Sequence, residues 1–405
     1  MTQRLCAAAL LHPGRTVIRG WGASADERAA LRIAEQLGAR VSYLPDGIIE
    51  IAGNGHPSGS SIDCGESGLC ARLFTPIASL SAGAIRVDGH GSLLRRDMQA
   101  FSAFLPQLGV RLHDFSGRLP FTVQGPLQPA DLTLDGSEGS QYLTGLLFAL
   151  AFSAKRKITV TVGNLKSRPY AGMTMDVLRR FGKVIAHDNY ERFIIDPALF
   201  RETEYEMTAD VARDWSAAAV WFVAGAIGGR IGIAGLSDDP SQADHAICRV
   251  VQQAGASVSR EGNVYTVAPR DLRAFRFDAT DCPDLFPALA VLAACCTGTS
   301  ALQGTERLAN KESDRAQAIS GLLAILGVPH RLAHDTLYVE GVRTFRGGTV
   351  SAHNDHRIVM AAAIAAVRAR GPVVIEGAEA ISKSYPAFFE DLQSLQLQCT
   401  LTPSP

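Results

Sequence analysis

The sequence predicts an α/β protein with two domains, each made of three copies of one repeated segment. Three observations support this prediction. The chain has 405 residues, and at roughly 150 residues per domain this length is typical of two to three domains. Hydrophobic residues make up 47% and charged residues 20%, as in folded globular proteins. A segment ending in Leu-Gly or a close variant recurs about every 72 residues, at Gly38, Gly109, Gly182, Gly255 and Gly327.

Each repeat opens with a run of small and apolar residues of helical period, which predicts a buried helix. The six runs extend over residues 4–11, 68–80, 140–153, 216–227, 284–296 and 356–367. A second predicted helix ends at the recurring glycine, because glycine readily takes the left-handed conformation that closes a helix. The sixth repeat ends near Leu395 and Gln396 and has no glycine there.

Short β-branched runs between the two helices predict strands. They cover residues 16–18, 84–87, 158–162, 231–233 and 373–375. One or two alternating strands close each repeat, for example residues 41–44 and 48–51. The alternative is an α-solenoid without an active site, but the β-branched runs and the long period argue against helical repeats.

Six copies of such a repeat are too many for one small core, so two groups of three are expected. The pattern is interrupted at residues 202–206, after the third copy. We therefore expect the domains to meet near residues 205–214. The first domain is predicted to cover residues 1–212 and the second residues 213–405.

The chain is almost neutral overall, so it has no long-range electrostatic attraction for nucleic acid or an anionic membrane. Lys and Arg number 39, Asp and Glu 40, and the formal net charge is −1. The longest apolar runs, residues 142–154 and 285–296, are shorter than the ~20 residues of a membrane span. The eight cysteines show no C-x-x-C spacing, so neither a zinc site nor a disulfide framework is expected. These features predict a cytoplasmic protein that binds neither nucleic acid nor membrane.

Polar residues at predicted helix starts in the first domain indicate anion sites. Ser140 and Gln141 begin an apolar helix, and Ser167 to Tyr170 precede another. Free amides at a helix start, helped by a hydroxyl, can hold a phosphate or carboxylate. Simple helix capping explains each serine equally well. Arg72 and Arg96, in the second repeat, are likewise candidate anion-binding residues.

The fifth and sixth repeats carry the densest polar clusters. Asp284 opens an apolar helix, Lys311 to Arg315 are predicted to open the next, and Asn354 to Arg357 start another, with Lys383 near the last. Lys311 and Arg315, four residues apart, would share a helical face. A solvated charged face is the ordinary interpretation, but clusters at several helix starts favour a site.

A metal centre is not favoured by these residues. His353 and His356 flank Asp355, but their spacing of three differs from the i, i+4 spacing of a zinc-binding helix, and no third ligand is evident.

In order along the chain, these clusters resemble the family of 5-enolpyruvylshikimate-3-phosphate synthases, the 3-phosphoshikimate 1-carboxyvinyltransferases. The resemblance covers essentially the whole chain and is most specific at residues 140–144, 311–315 and 355–357. It implies the enolpyruvyl transferase fold, with two domains of three βαβαββ-like repeats. It also implies transfer of the enolpyruvyl group of phosphoenolpyruvate to the 5-hydroxyl of shikimate-3-phosphate, with release of phosphate, in the shikimate pathway to chorismate and aromatic amino acids.

The resemblance also implies roles for individual residues. Asp284 is the expected base and Glu312 the expected acid, while Lys311 would stabilise charge and shuttle a proton. Arg72 and His356 are expected to support the site. The expected contacts to shikimate-3-phosphate are Arg4, Ser140, Gln141, Ser167, Tyr170, Asp284, Arg307 and Lys311. The expected contacts to phosphoenolpyruvate are Gly68, Arg96, Gln141, Arg315, Arg357 and Lys383.

The family further implies a monomer that needs no metal or organic cofactor and closes its domains over the substrates. Three positions depart from its usual pattern. Gly139 stands in place of a second serine, Glu66 in place of a common asparagine, and Arg307 in place of an asparagine that often touches the shikimate phosphate. We expect the first two to alter affinity without abolishing the site, and arginine could serve at the third.

The start of the chain is the largest departure. The family motif runs Ser-Lys-Ser-x-Ser/Thr-x-Arg, and Met1 to Arg4 match its last four positions. The family lysine, which normally touches both substrates, and the first strand of the second domain have no counterpart. We expect Met1 to be an internal methionine of a longer reading frame, the alternative being a truncated protein. The 405-residue chain as written is expected to turn over poorly.

Two other functions stay open at this point. One is the sister enolpyruvyl transferase that acts on UDP-N-acetylglucosamine, whose family has a reactive cysteine where this chain has Gly91 to Arg96 and no cysteine. The other is a non-catalytic binding homologue. Phosphate release with either acceptor distinguishes them.

Overall fold

The computed structural model of the chain is an α/β structure that describes residues 1–237, 241–396 and 399–402. It divides into two compact parts, Met1–Ala212 and Arg213–Pro405. We call them the N-terminal unit and the C-terminal unit.

The N-terminal unit contains three repeats. Its helices are α1 (Thr2–Leu11), α2 (Ala25–Gln36), α3 (Gly68–Ala78), α4 (Ala100–Phe104), α5 (Gln141–Ser153) and α6 (Arg168–Arg180). Its strands are β1 (Arg15–Arg19), β2 (Arg40–Leu44), β3 (Ile48–Ala52), β4 (Ser61–Asp63), β5 (Ala84–Asp88), β6 (Arg111–His113), β7 (Phe121–Gln124), β8 (Leu132–Asp135), β9 (Ile158–Gly163), β10 (Ile185–Asp188), β11 (Arg192–Ile195) and β12 (Glu206–Asp210).

These strands form three four-stranded sheets, in the orders β12-β1-β3-β2, β4-β5-β7-β6 and β8-β9-β11-β10. In every sheet the first pair is parallel and the other two pairs are antiparallel. A parallel pair needs a crossover, which the helices provide. The first sheet takes its parallel strand, β12, from the end of the unit, where the sequence predicted only an interruption of the pattern.

The C-terminal unit also alternates helices and strands. Its helices are α7 (Trp215–Ile227), α8 (Ile247–Gln253), α9 (Phe286–Ala294), α10 (Arg315–Ile325), α11 (His356–Ala365) and α12 (Phe388–Ser394). Its strands are β13 (Ile231–Ala234), β14 (Ser257–Glu261), β15 (Val264–Ala268), β16 (Arg276–Asp278), β17 (Thr299–Gln303), β18 (His330–Ala333), β19 (Thr336–Glu340), β20 (Gly348–Ser351) and β21 (Val373–Glu376). Over the described residues, the sheets are β13-β15-β14, β16-β17-β19-β18 and β20-β21.

The recurring glycines end the second helices as predicted. Gly38, Gly109, Gly182, Gly255 and Gly327 all have positive φ, between 72° and 106°, where a side chain would be strained. In the sixth repeat Gln396 takes this conformation, with φ 63°. The six-repeat α/β architecture predicted from the sequence is thus confirmed.

Each unit has its own hydrophobic core. The first helices of the repeats lie deepest, and every residue of α9 is buried, as expected for a helix that is apolar all round. The polar residues at the starts of these helices therefore project from rigid supports. Among the described residues, no helix is both long and apolar enough to cross a membrane.

Candidate active site

With the exception of Arg96, the predicted site residues of the N-terminal unit lie at or near the starts of four helices. Helices α1, α3 and α5 pack against one another, and α6 packs against α1 and α5. Their first turns, and the turn that ends at Arg96, carry one group of residues that we call the N-terminal cluster. It consists of Arg4, Gly68, Arg72, Arg96, Ser140, Gln141, Ser167 and Tyr170.

Arg4 joins α1 to α6. Its Nε donates to Oγ1 of Thr174 at 3.0 Å, and its Nη2 donates to the carbonyl oxygen of Tyr170 at 3.4 Å. Thr174 also lies 2.9 Å from the hydroxyl of Thr144 on α5. Arg4 is 4% exposed, and burial lowers its pKa to about 10. Arg4 therefore remains a cation at neutral pH and can attract an anion.

Arg72 joins α3 to α5. Its Nη1 donates to Oε1 of Gln141 at 3.1 Å, and its Nη2 donates to the carbonyl oxygen of Asp97 at 2.9 Å. The guanidinium lies over the ring of Tyr142, 5.1 Å from the centroid. These contacts hold Arg72 in one orientation and fix the amide of Gln141.

Gly68 leaves room for two guanidinium groups. A Cβ at this position would lie 2.0 Å from Nη1 of Arg96 and 3.0 Å from Nη1 of Arg72. Both arginines are buried, at 7% and 6% exposure. The glycine at the start of α3 thus permits two cations to approach the free amides of the helix, an arrangement suited to an anion.

The two serines are not simple helix caps. Within the described residues, neither Ser140 nor Ser167 accepts a capping bond from its own helix through its side chain. Ser167 has φ 56°, so its backbone departs from the usual extended cap conformation. The capping alternative therefore loses its support at both positions.

The predicted residues of the C-terminal unit form a second group: most lie at the starts of α9, α10 and α11, and Arg307 and Lys383 lie in the 3-10 segments Thr305–Leu308 and Ala378–Lys383. We call it the C-terminal cluster. It consists of Asp284, Arg307, Lys311, Glu312, Arg315, His356, Arg357 and Lys383.

Asp284 lies at the centre of this cluster. Its Oδ1 accepts from Nη1 of Arg315 at 2.7 Å and from Nζ of Lys311 at 3.4 Å. Its Oδ2 lies 4.0 Å from Nη2 of Arg357. Burial acts to raise the pKa of Asp284, but Lys311, Arg357 and Arg315 together hold it well below its usual range. Asp284 is therefore a carboxylate at neutral pH.

Arg315 is held by three carboxylates. Its Nε and Nη2 donate to the two oxygens of Asp355, at 2.9 and 3.3 Å, and Nη2 also donates to Oε2 of Glu312 at 2.5 Å. The side chain is 1% exposed and that of Asp355 is fully buried. Burial acts to lower the pKa of Arg315, but Asp355, Glu312 and Asp284 raise it. The planar pairing fixes the orientation of the guanidinium.

Two further cations are anchored to main-chain oxygens. Nη1 of Arg357 donates to the carbonyl oxygen of Ser216 at 2.8 Å, and Nζ of Lys383 donates to that of Asn354 at 2.8 Å. Both side chains are buried. They keep positive charge beside Asp284 and beside the start of α11.

His356 and Lys311 have shifted proton affinities. Burial, followed by the charge of Arg357, lowers the pKa of His356 to about 4, so the ring is neutral at neutral pH. Burial also lowers the pKa of Lys311, partly offset by Asp284, and Arg307 in the turn Thr305–Leu308 adds to the lowering. Such perturbation of several groups in one place is typical of functional sites.

The prediction that Lys311 and Arg315 share a helical face is wrong. Helix α10 begins at Arg315, and Asp314 is its N-cap, with its side chain accepting from the amide of Gln317. The cap ends the helix there, so Lys311 and Glu312 lie in the preceding turn. Their shared contacts with Asp284 and Arg315, rather than helical spacing, bring these groups together.

The sequence prediction assigned no role to three residues that support the clusters. Asp355 orients Arg315, Thr174 bonds Arg4, and the main chain of Ser216 bonds Arg357. Asp355 was visible as a polar residue at a helix start. Thr174 lies inside α6, where a threonine gives no signal, and a main-chain contact depends on no side-chain pattern.

The comparison with known families decides the identity of the chain. The family model of EPSP synthase (3-phosphoshikimate 1-carboxyvinyltransferase) matches residues 1–392. The chain belongs to the EPSP synthase family. The resemblance stated from the sequence is thereby confirmed.

Curated relatives agree with this assignment. The 3-phosphoshikimate 1-carboxyvinyltransferase of Aeropyrum pernix is 36% identical over 97% of this chain and 90% of its own length. The protein of the same name from Clostridium kluyveri is 35% identical over 83% of this chain and 78% of its own length.

Solved structures show the same fold. An EPSP synthase from Acinetobacter baumannii superposes with a TM-score of 0.77 at 24% identity, over 97% of this chain and 92% of that one. The enolpyruvyl transferase NikO from Streptomyces tendae superposes with a TM-score of 0.74 at 18% identity, over the same shares of the two chains.

Proposed function

We infer that the chain transfers the 1-carboxyvinyl group of phosphoenolpyruvate to the 5-hydroxyl of shikimate-3-phosphate and releases phosphate. This is the enolpyruvyl transfer of the shikimate pathway to chorismate and aromatic amino acids. The family match supports the reaction, and the observation that carries the chemistry is the contact of Asp284 with three cations, one of which also binds Glu312. That arrangement places acidic and basic groups within one cluster.

We propose that the N-terminal cluster supplies most contacts to shikimate-3-phosphate. A phosphate suits buried arginines and helix-start hydroxyls, because both give charge-assisted bonds. The proposed contacts are Arg4, Ser140, Gln141, Ser167 and Tyr170, together with Asp284, Arg307 and Lys311.

Phosphoenolpyruvate carries a carboxylate and a phosphate, and arginine forks match both groups. Its proposed contacts are Gly68, Arg96, Gln141, Arg315, Arg357 and Lys383.

The reaction proceeds by addition and then elimination. The 5-hydroxyl oxygen bonds to the central carbon of phosphoenolpyruvate and gives up its proton, while the methylene carbon gains a proton and becomes a methyl group. The carbon–oxygen bond to phosphate then breaks with its electron pair, and the methyl group loses a proton to restore the double bond. A base near the hydroxyl and an acid near the methylene carbon are required.

Asp284 is the proposed base. With its pKa held low by three cations, it is a weak proton acceptor in the unliganded chain. When Arg315 and Arg357 bind the anionic groups of phosphoenolpyruvate, their field at Asp284 is partly neutralised, and its pKa rises. The carboxylate therefore becomes a stronger base when the substrate is bound.

Glu312 is the proposed acid. Its bond to Nη2 of Arg315 favours the ionised form, so it must gain a proton before it can act. Binding of a substrate anion to Arg315 competes for that bond and makes protonation of Glu312 easier. Lys311, which contacts Asp284, stabilises developing charge and can return a proton.

Phosphate release tests this function. We expect phosphate to appear when phosphoenolpyruvate and shikimate-3-phosphate are both present, and not with either alone. Release with UDP-N-acetylglucosamine instead would identify the sister transferase. Calorimetric binding of shikimate-3-phosphate without any release would identify a binding homologue.

We also propose that the protein is a cytoplasmic monomer, as the resemblance of its sequence to this family implies. Sedimentation equilibrium measures the mass directly, and a dimer would contradict this part of the proposal.

A further inference from the structure

The turn before Arg96 is fastened by Glu66. Glu66 lies in the loop before α3, two residues from Gly68. Its Oε2 accepts two bonds from Ser92, one from the main-chain N–H and one from the hydroxyl, both at 2.9 Å. Ser92 is 3% exposed. A carboxylate that accepts two donors from one buried residue holds that residue firmly.

The fit between Glu66 and this turn is close. Gly91, next to Ser92, has φ 59°, and a Cβ there would lie 2.4 Å from Oε2 and Cδ of Glu66. The carboxylate therefore packs directly on the glycine main chain. The turn can take its observed position only with glycine at 91, on both conformational and steric grounds.

The same turn sets the position of Arg96. Residues Gly91–Arg95 form a short 3-10 helix, and Arg96 is its C-cap, with its N–H donating to the carbonyl oxygen of Leu93 at 3.1 Å. Leu93 is fully buried. Since the guanidinium of Arg96 reaches Gly68, the loop with Glu66 and Gly68 contacts this segment at both ends.

We propose that Glu66 is a positioning residue for phosphoenolpyruvate, acting through Ser92 to hold Arg96 against the start of α3. This inference rests on the proposed function, which assigns Arg96 to the phosphoenolpyruvate site. The proposal has two parts that can be tested separately. The first is that Glu66 fastens the turn. The second is that the fastened turn sets the affinity for phosphoenolpyruvate rather than for shikimate-3-phosphate.

Steady-state kinetics of Glu66→Ala tests the second part. Loss of both bonds should raise KM for phosphoenolpyruvate about tenfold, with KM for shikimate-3-phosphate and kcat changed less than about twofold. Glu66→Gln keeps an oxygen acceptor of similar shape, and because neutral bonds are weaker it should raise KM about threefold. Equal rises in both KM values, or no rise, would overturn the proposal.

The contact itself is tested by a double-mutant cycle. Ser92→Ala removes the hydroxyl but keeps the N–H bond, so it should raise KM for phosphoenolpyruvate about threefold. In the Glu66→Ala background the same change should have almost no further effect, because the partner is gone. Full additivity would show that the two residues act independently.

Asp131→Ala is the matched control. Asp131 is an exposed carboxylate of the same unit, directly before β8, that accepts one main-chain bond, from Thr159 at 2.7 Å. This variant should leave both KM values unchanged.

Hydrogen exchange of the unliganded chain tests the fastening without any reference to activity. Amides of residues 91–96 should exchange faster in Glu66→Ala than in the unaltered chain, while those of α5 should not change. Unchanged exchange at residues 91–96 would refute the fastening. If the unaltered chain releases no phosphate but the exchange differs as expected, the proposed function fails and the fastening stands.

Discussion

Arg4 and Arg72 of the N-terminal cluster are held differently from Arg315 of the C-terminal cluster. In the N-terminal cluster, Arg4 and Arg72 donate to neutral oxygens: a threonine hydroxyl, a glutamine amide and main-chain carbonyls. In the C-terminal cluster, Arg315 is paired with Asp284, Glu312 and Asp355. A cation bonded to neutral groups keeps its charge available for an anion, whereas charges packed together shift one another's proton affinities. The first arrangement suits binding and the second suits proton transfer.

The largest expected effect is on turnover, from Asp284→Asn. The amide is nearly isosteric but cannot accept the hydroxyl proton, so kcat should fall about 10³-fold. Phosphate release at saturating substrates measures it. Asp278→Asn, which alters a carboxylate of the same unit that bonds the amide of Thr280, should retain activity. A residual rate above about one tenth of normal in Asp284→Asn would rule out the base role.

The next largest expected difference between the clusters is in how much each contributes to the free energy of unfolding. Asp355→Ala leaves the buried Arg315 without its bidentate partner and should lower the free energy of unfolding by about 3–5 kcal/mol. Thr174→Val removes a neutral partner of Arg4 and should cost about 1–2 kcal/mol. Urea unfolding, followed separately for the two units if they unfold separately, measures both. Equal losses would remove the distinction between the clusters.

The pH dependence of stability reports on His356. Burial lowers its pKa from the ordinary value of 6.5 to about 4 in the folded chain, so the unfolded chain binds the extra proton between these pH values. Stability contributed by the neutral ring is complete above pH 6.5 and falls as pH is lowered toward 4, by up to about 3 kcal/mol.

The low pKa of Asp284 affects the stability of the chain only at pH values below this window, because the stabilisation from its carboxylate is lost only under more acid conditions. His356→Gln should therefore flatten the curve between pH 4 and 6.5. A variant that keeps the full slope would show that other groups cause it.

The smallest effect is expected in the N-terminal cluster, from Gly68→Ala. The added methyl group would meet Nη1 of Arg96, which can move because it ends a flexible side chain. Displacement of Arg96 should raise KM for phosphoenolpyruvate about tenfold and leave kcat within a few-fold. Ala71→Gly, three residues along the same helix, is a control of similar size. A fall in kcat with unchanged KM would contradict a binding role.

The repeats could be predicted from the sequence because their signals are local. Helix α9 is apolar all round, and the glycines at 38, 109, 182, 255 and 327 mark helix ends. Strand β12 was missed because Glu206 to Asp210 carry a weak strand pattern, and their pairing with β1 joins residues about 190 positions apart. Such pairing depends on tertiary structure rather than on local preference.

The site could be predicted in part for the same reason. Charged residues at helix starts, such as Asp284 and Arg357, were visible as exceptions in apolar segments. The contact of Glu66 with Ser92 could not be predicted from the sequence, since it joins two segments 26 residues apart. The prediction that Lys311 and Arg315 share a helical face is wrong because Asp314 caps α10, so that Lys311 lies outside the helix.

Deuterium incorporation tests the central claim most directly, namely that the C-terminal cluster protonates and then deprotonates the methylene carbon of phosphoenolpyruvate. The reaction is run in D₂O with shikimate-3-phosphate, and the product methylene group is examined by NMR. Addition of one deuteron gives a CH₂D group, and loss of a proton from it leaves deuterium in the product. We predict such deuterium with the unaltered chain, and a rate of incorporation that falls together with kcat in Glu312→Gln. Product that carries no deuterium would contradict the account.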